Sequence, residues 1–119
     1  MPIQKLKTIV AGSRSISDYS IVEQAIEASG FSILEIVSGE SIGVDKQGEI
    51  WAKKNNIPIV RFPAKWNQHG NKAGYLRNVE MAEYADALIA IWEAESRGTR
   101  HMIQIAKNHN LKIFLKVIE

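Results

Sequence analysis

The sequence predicts an α/β fold in which a parallel sheet is covered by helices on both faces, and three observations carry that expectation. Five short apolar, β-branched runs recur along 119 residues, at Leu6 to Ala11, Ile33 to Val37, Ile57 to Phe62, Ala87 to Trp92 and Leu111 to Val117. Each gap between them holds residues at helical spacing. The runs are nearly continuous in apolar character rather than alternating, as strands buried on both faces by crossover helices are.

The gaps read as helices one by one. In the first, Val22, Ala25 and Ile26 share a face, entered at Ser17-Asp18 and closed by Gly30. The second carries Val44, Gly48, Trp51 and Ala52 and ends at Asn55-Asn56, ahead of Pro58. In the third, Tyr75, Val79 and Ala82 share a face, and in the fourth Met102, Ile105 and Ala106 do. Lys107 and His109 suit the negative pole of that last helix. Right-handed crossovers leave few topologies for this alternation. The expectation is a single Rossmann-like domain over residues 1–119, a doubly wound parallel five-stranded sheet of order 3-2-1-4-5. That order reverses between the first and fourth strands. The loops leaving those strands then face each other across a crevice, beside the loop after the second strand, and ligands bind in such crevices.

Composition narrows the function. Apolar residues make up 45% of the chain and charged residues 24%, enough for a core and typical of a globular protein. The absence of cysteine excludes disulfides and thiolate metal sites. No charged-then-apolar signal pattern opens the chain, and no apolar run approaches the roughly 20 residues of a membrane span. The expectation is a cytoplasmic protein without membrane contact, resident cofactor or metal. A formal net charge of +2 is too weak to argue for duplex nucleic acid.

The strand-end loops carry the chemistry. After the first strand, Gly12 permits close backbone approach, Ser13 offers a hydroxyl, and Arg14 offers a planar fork suited to phosphate. A tight turn with an exposed arginine reads the same residues equally well. After the second strand, Ser38-Gly39 through Gly43-Val44-Asp45 resembles a phosphate cradle at a helix N-terminus, although the spacing is neither a P-loop nor GxGxxG. Asp45 also reads simply as a residue favouring the helix start. Glu40 would repel a phosphate there, so it turns to solvent or serves another part of the ligand, such as sugar hydroxyls.

The loop after the third strand, 63–74, holds Lys65, Trp66, His69 and Lys72 and reads as a ligand-facing lid. Trp66 could stack on a base, but packing against the body of the protein is the expectation. Arg77 and Asn78 follow. After the fourth strand, Arg97-Gly98-Thr99 opens a helix, with Ser96 or Thr99 as its cap.

In this order the motifs resemble the YspA-type (YpsA-related) branch of the SLOG superfamily, which also includes LOG-like proteins and DprA. The resemblance runs from about Thr8 to Phe114. Its parts are Ala11-Gly12-Ser13-Arg14, the second loop (close to SGGARGAD), Trp66 to Asn78 (close to WxxHGxxAGxxRN), and Arg97-Gly98-Thr99 (close to GGRGT). It implies a Rossmann-like fold, a nucleotide or nucleotide-derived ligand, and a homo-oligomer as one assembly open to the chain. Departures accompany it. Glu40 and Ser41 replace small or glycine residues, and Ile42 stands near the usual arginine. LOG enzymes carry PGGxGTxxE, whose glutamate helps cleave an N-glycosidic bond, and three residues after Thr99 this chain has Met102. Arg77 matches the arginine of the LOG RKxxM motif, with Met81 four residues on.

The expected ligand-binding set is therefore Gly12, Ser13, Arg14, Ser38, Gly39, Asp45, Arg77, Asn78, Arg97, Gly98 and Thr99, with Glu40 as a stand-in catalytic carboxylate. The leading function is binding or sensing of a nucleotide-derived ligand. A nucleoside monophosphate N-glycosidic hydrolase is the alternative, with Glu40, Asp45 or Glu93 replacing the lost glutamate. A DprA-like nucleic-acid binder is the lesser one, because basic and acidic residues are interspersed.

Overall fold

A computed structural model of the chain describes residues 4–93 and 96–118. Five parallel strands, β1 (Leu6–Gly12), β2 (Ile33–Ser38), β3 (Ile59–Arg61), β4 (Ala87–Trp92) and β5 (Lys112–Val117), form one sheet of order β3-β2-β1-β4-β5. The order and the reversal beside β1 are those expected from the sequence. β3 is shorter than its apolar run. The chain is still leaving a helix at Ile57, whose N–H bonds to Ala52 O, and Pro58 has no N–H to give to a ladder.

Helices α1 (Tyr19–Ser29) and α2 (Val44–Lys54) cover one face. The short α3 (Trp66–His69), a 3-10 turn (Gly70–Lys72) and the helix α4 (Ala73–Tyr84) follow β3, and α5 (Arg97–Asn108) follows β4. Along β1 the side chains alternate between two cores. Val10 packs among Val22, Ile26, Val44 and Ala52, while Ile9 and Ala11 pack among Met81, Ala82, Met102 and Ala106. Helix ends carry their caps where the sequence places them. Asp18 accepts from Ser20 N–H at 2.9 Å to start α1, and Gly30 closes it at φ 69°.

Two expectations change. The stretch 63–74 is largely helical rather than an irregular loop, since α3 and the 3-10 turn occupy most of it. The buried side of α4 is Ala73, Arg77, Asn78, Met81 and Ala82, not Tyr75, Val79 and Ala82, and Tyr75 is exposed. Two polar residues lie on the hidden face because partners from other elements satisfy their hydrogen-bonding groups.

Candidate functional site

The C-terminal ends of β1 and β4 open onto a cavity of about 610 Å³. It is walled by Gly12, Ser13 and Arg14 from the β1 loop, Ser41 and Asp45 from the β2 loop and α2, and Ser96, Gly98 and Thr99 from the start of α5. Trp66, Gly74, Arg77, Asn78 and Met81 close it from the α3–α4 side. A smaller cavity of about 230 Å³ adjoins it and shares Arg14, Ser41, Trp66 and Arg77, adding Gly39, Glu40, Pro63 and Ala64.

The β1 loop is held tightly. Ser13 N–H donates to Ile91 O at 3.1 Å, and Ser13 Oγ accepts from Glu93 N–H at 3.0 Å, tying the two switch-point loops together. The hydroxyl proton of Ser13 is left to donate. Gly43 crosses directly behind this loop at φ 78°, where a Cβ would stand 2.5 Å from the Ser13 and Arg14 carbonyl oxygens, so only glycine fits. Val44 N–H then reaches Ser13 O at 3.4 Å. The N-terminus of α2 is thus engaged by the protein, and Asp45, in its first turn, supplies the negative charge that the helix pole favours. The second loop is therefore not an open anion cradle.

The open helix end belongs to α5. Ser96 caps it, its Oγ accepting from Thr99 N–H at 3.4 Å and lying 2.8 Å from Thr99 Oγ1. Trp92 Nε1–H donates to Ser96 O at 3.1 Å and fixes the cap against β4. Gly98 and Thr99 face the cavity. Arg97 is exposed and does not line it, because the first turn of α5 aims that side chain to solvent.

Arg77 is the central cation. The residue is 9% exposed, and its guanidinium donates through Nη1 to Gly39 O and through Nε to Asn78 Oδ1 at 3.1 Å. Asn78 turns its amide outward, donating to Gly98 O at 3.3 Å and meeting His101 Nδ1 at 3.1 Å. One asparagine thereby couples the arginine to the start of α5. The absence of a side chain on Gly39 makes room for this arrangement. A methyl there would lie 2.5 Å from Arg77 Nη1 and 3.0 Å from Asp45 Oδ2.

Asp45 and Arg77 thus flank the same glycine. Burial pushes the Asp45 carboxyl up to about 6, while Arg77 and the N–H groups of Ser41 and Gly12 pull it the other way. Burial lowers the Arg77 guanidinium, Asp45 opposes that effect, and the neighbouring Arg14 adds to it. Among the described residues, both ion pairs belong to Arg61, with Glu40 at 3.4 Å and Glu49 at 3.0 Å. Neither Arg14 nor Arg77 has a carboxylate within ion-pair distance there.

Other expected site residues fall outside the main cavity. Ser38 is fully buried, donating to Glu49 Oε2 at 2.7 Å and accepting from Glu40 N–H at 3.0 Å, so it braces the turn. Glu40 takes φ 62°, the left-handed region that favours glycine, and its carboxylate turns to Arg61. It borders only the smaller cavity.

Trp66 is 51% exposed and stands at the rim of both cavities, contrary to the packing role read from the sequence. Gly74 lies beside its ring, where a Cβ would stand 3.5 Å from Cη2. Met81 and Met102 line the cavity as its apolar floor, a role no polar motif signals. Ser15, Asn71 and Tyr75 also line it without having been singled out as ligand groups. No described helix is long and apolar enough to cross a membrane.

Comparisons with known proteins agree with this architecture. The Gene 61 protein of Mycobacterium phage D29 is 30% identical over 117 residues, covering 90% of this chain and 93% of that one. The X-ray structure of DNA processing protein A (DprA) from Streptococcus pneumoniae superposes with a TM-score of 0.76 at 20% identity, over 93% of this chain. DprA from Helicobacter pylori, whose structure is described for its single-stranded DNA binding mode, gives 0.66 at 19% identity over 92%. The chain spans 50% and 64% of those two proteins' lengths, and at such identities the likeness is one of fold. The profile of the YspA, cpYpsA-related SLOG family matches residues 6–69, and the chain belongs to that family.

Proposed function

We propose that the cavity between the β1 and β4 loops binds a nucleotide or nucleotide-derived phosphate ligand, and that the protein acts as a binding or sensing module. One observation carries this reading. Two guanidinium groups without a carboxylate in ion-pair distance among the described residues, Arg14 and Arg77, face the same cavity as the N-terminus of α5. A buried cation in that setting is stabilised by an anion, and free N–H groups at a helix start add oriented donors. The volume of about 610 Å³ lies within the roughly 300–1,000 Å³ of sites that enclose small ligands.

The test is a thermal-shift screen of nucleoside mono-, di- and triphosphates, cyclic nucleotides, NAD and ADP-ribose against the parent nucleosides. Phosphate-bearing compounds raise the melting temperature in proportion to their affinity and the bare nucleosides do not. Equal effects of nucleosides and nucleotides, or no effect of any, would refute the reading.

Single-stranded nucleic acid is the second reading, favoured by the DprA-like fold. A net charge of only +2 weighs little against it beside those neighbours, because single strands are held by local stacking and backbone contacts. Tight, steeply salt-dependent binding of a labelled oligonucleotide would favour it over a small ligand.

A further inference from the structure

We propose that the site is bipartite and takes a ligand with two nucleoside parts joined through phosphate, the smaller cavity receiving the second nucleoside. This rests on the nucleotide reading of the larger cavity. The smaller cavity, at about 230 Å³, is below the size that encloses a whole small ligand, and it shares Arg14, Ser41, Trp66 and Arg77 with its neighbour. It is therefore a side compartment of one site.

The residues on the partition differ in chemistry from those beyond it. The two guanidinium groups stand where the compartments meet, so a phosphate held there has one cavity on either side. The indole of Trp66 shares that boundary, and beyond it the smaller cavity offers Gly39, Pro63, Ala64 and the carboxylate of Glu40. A carboxylate repels a second phosphate but accepts hydrogen bonds from sugar hydroxyls. A half-exposed indole beside Pro63 and Ala64 suits the face of a base. Glu40 is held there by Arg61 at 3.4 Å. The departure of Glu40 from the small or glycine residue of the SLOG pattern thereby acquires a use.

The experiment compares, by calorimetric titration, AMP, GMP, CMP and UMP with the 5′-phosphorylated dinucleotides pApA, pGpG, pCpC and pUpU. At least one dinucleotide binds about tenfold or more tighter than its mononucleotide, since the second part binds as a tethered group. Ala64→Trp, which fills the smaller cavity alone, removes that gain and leaves mononucleotide affinity unchanged. Retained mononucleotide binding also reports an intact fold, and Ala64→Leu serves where the tryptophan disturbs it. Mononucleotide binding with no dinucleotide gain, or a gain that survives both substitutions, overturns the bipartite site alone. A longer single strand that outbinds every dinucleotide overturns it in favour of nucleic acid. Failure of all eight compounds removes the nucleotide reading and the bipartite site together.

Discussion

Asp45→Asn tests the buried electrostatics of the site without changing its shape. The carboxyl is held at about 6, against an ordinary 3.8, chiefly by burial. A carboxyl with a raised native value binds more protons in the folded state than in the unfolded one. Its contribution to stability is therefore largest below about 3.8 and is lost as pH rises through about 6. The interval between those values corresponds to roughly 3 kcal/mol, since one pH unit is worth about 1.4 kcal/mol. The substituted amide does not titrate. It keeps an oxygen for the N–H of Ser41 but withdraws the charge that opposes Arg77's desolvation, which offsets part of the gain at neutral pH. The robust quantity is the change in the difference between the two proteins. Urea unfolding at pH 4 and pH 7.5 shows the variant gaining about 2–3 kcal/mol relative to wild type across that range. Parallel pH profiles would refute the reasoning and mean that Asp45 titrates alike in both states.

Further outcomes follow from the same geometry. Arg14→Ala weakens nucleotide binding by about 1–3 kcal/mol. The melting temperature stays unchanged because the side chain is exposed, and unaltered affinity by calorimetry would remove Arg14 from the site. Asn78→Ala strips the acceptor from buried Arg77 Nε and destabilises the fold by about 1–3 kcal/mol in urea titration. A loss below roughly 0.5 kcal/mol would show that the bridge to α5 is incidental. Gly39→Ala drives a methyl against Arg77 Nη1 and displaces the guanidinium, so nucleotide affinity falls while circular dichroism stays native. Full affinity in that variant would mean that Arg77 is not a ligand contact. Incubation with AMP, GMP, CMP or UMP releases no free base at an enzymatic rate of about 1 per second. Turnover lost in Glu40→Gln or Asp45→Asn would replace the binding reading with a hydrolase.

The sheet was legible because its information is local. Five β-branched runs separated by helical spacing admit few right-handed topologies, and the switch point at β1 and β4 follows from their order. The site was legible only in outline. Gly12, Ser13, Arg14, Asp45, Arg77, Asn78, Gly98 and Thr99 do converge on one cavity. Periodicity misjudged α4 because it counts apolar residues, whereas Arg77 and Asn78 are buried by partners on distant loops, Gly39 and Gly98. Sequence spacing likewise gave no hint that Ser38 would turn under the loop to Glu49, or that Arg61 would draw Glu40 aside. Trp66 shows the limit most clearly. Whether an indole packs or waits for a ligand depends on a recess that other elements either form or do not.

The same details bear on why binding rather than cleavage is the reading that fits. Glycosidic cleavage needs a carboxylate free to share a proton at the sugar. Each carboxylate near the cavity has another occupation. Glu93 accepts from Ser15 Oγ at 3.0 Å, Glu40 pairs with Arg61 at 3.4 Å, and Asp45 lies beside Gly39 with N–H groups of Ser41 and Gly12 on its oxygens. At the place where LOG enzymes present their glutamate, Met102 offers a buried thioether that can neither give nor take a proton. The donors that remain, two guanidinium groups, the hydroxyl of Ser13 and the start of α5, all suit an anion at rest. If the cavity holds a phosphate as proposed, Arg14 and Arg77 supply its cations, while the carboxylates that line it, Asp45 and Glu93, are engaged by the N–H of Ser41 and the hydroxyl of Ser15.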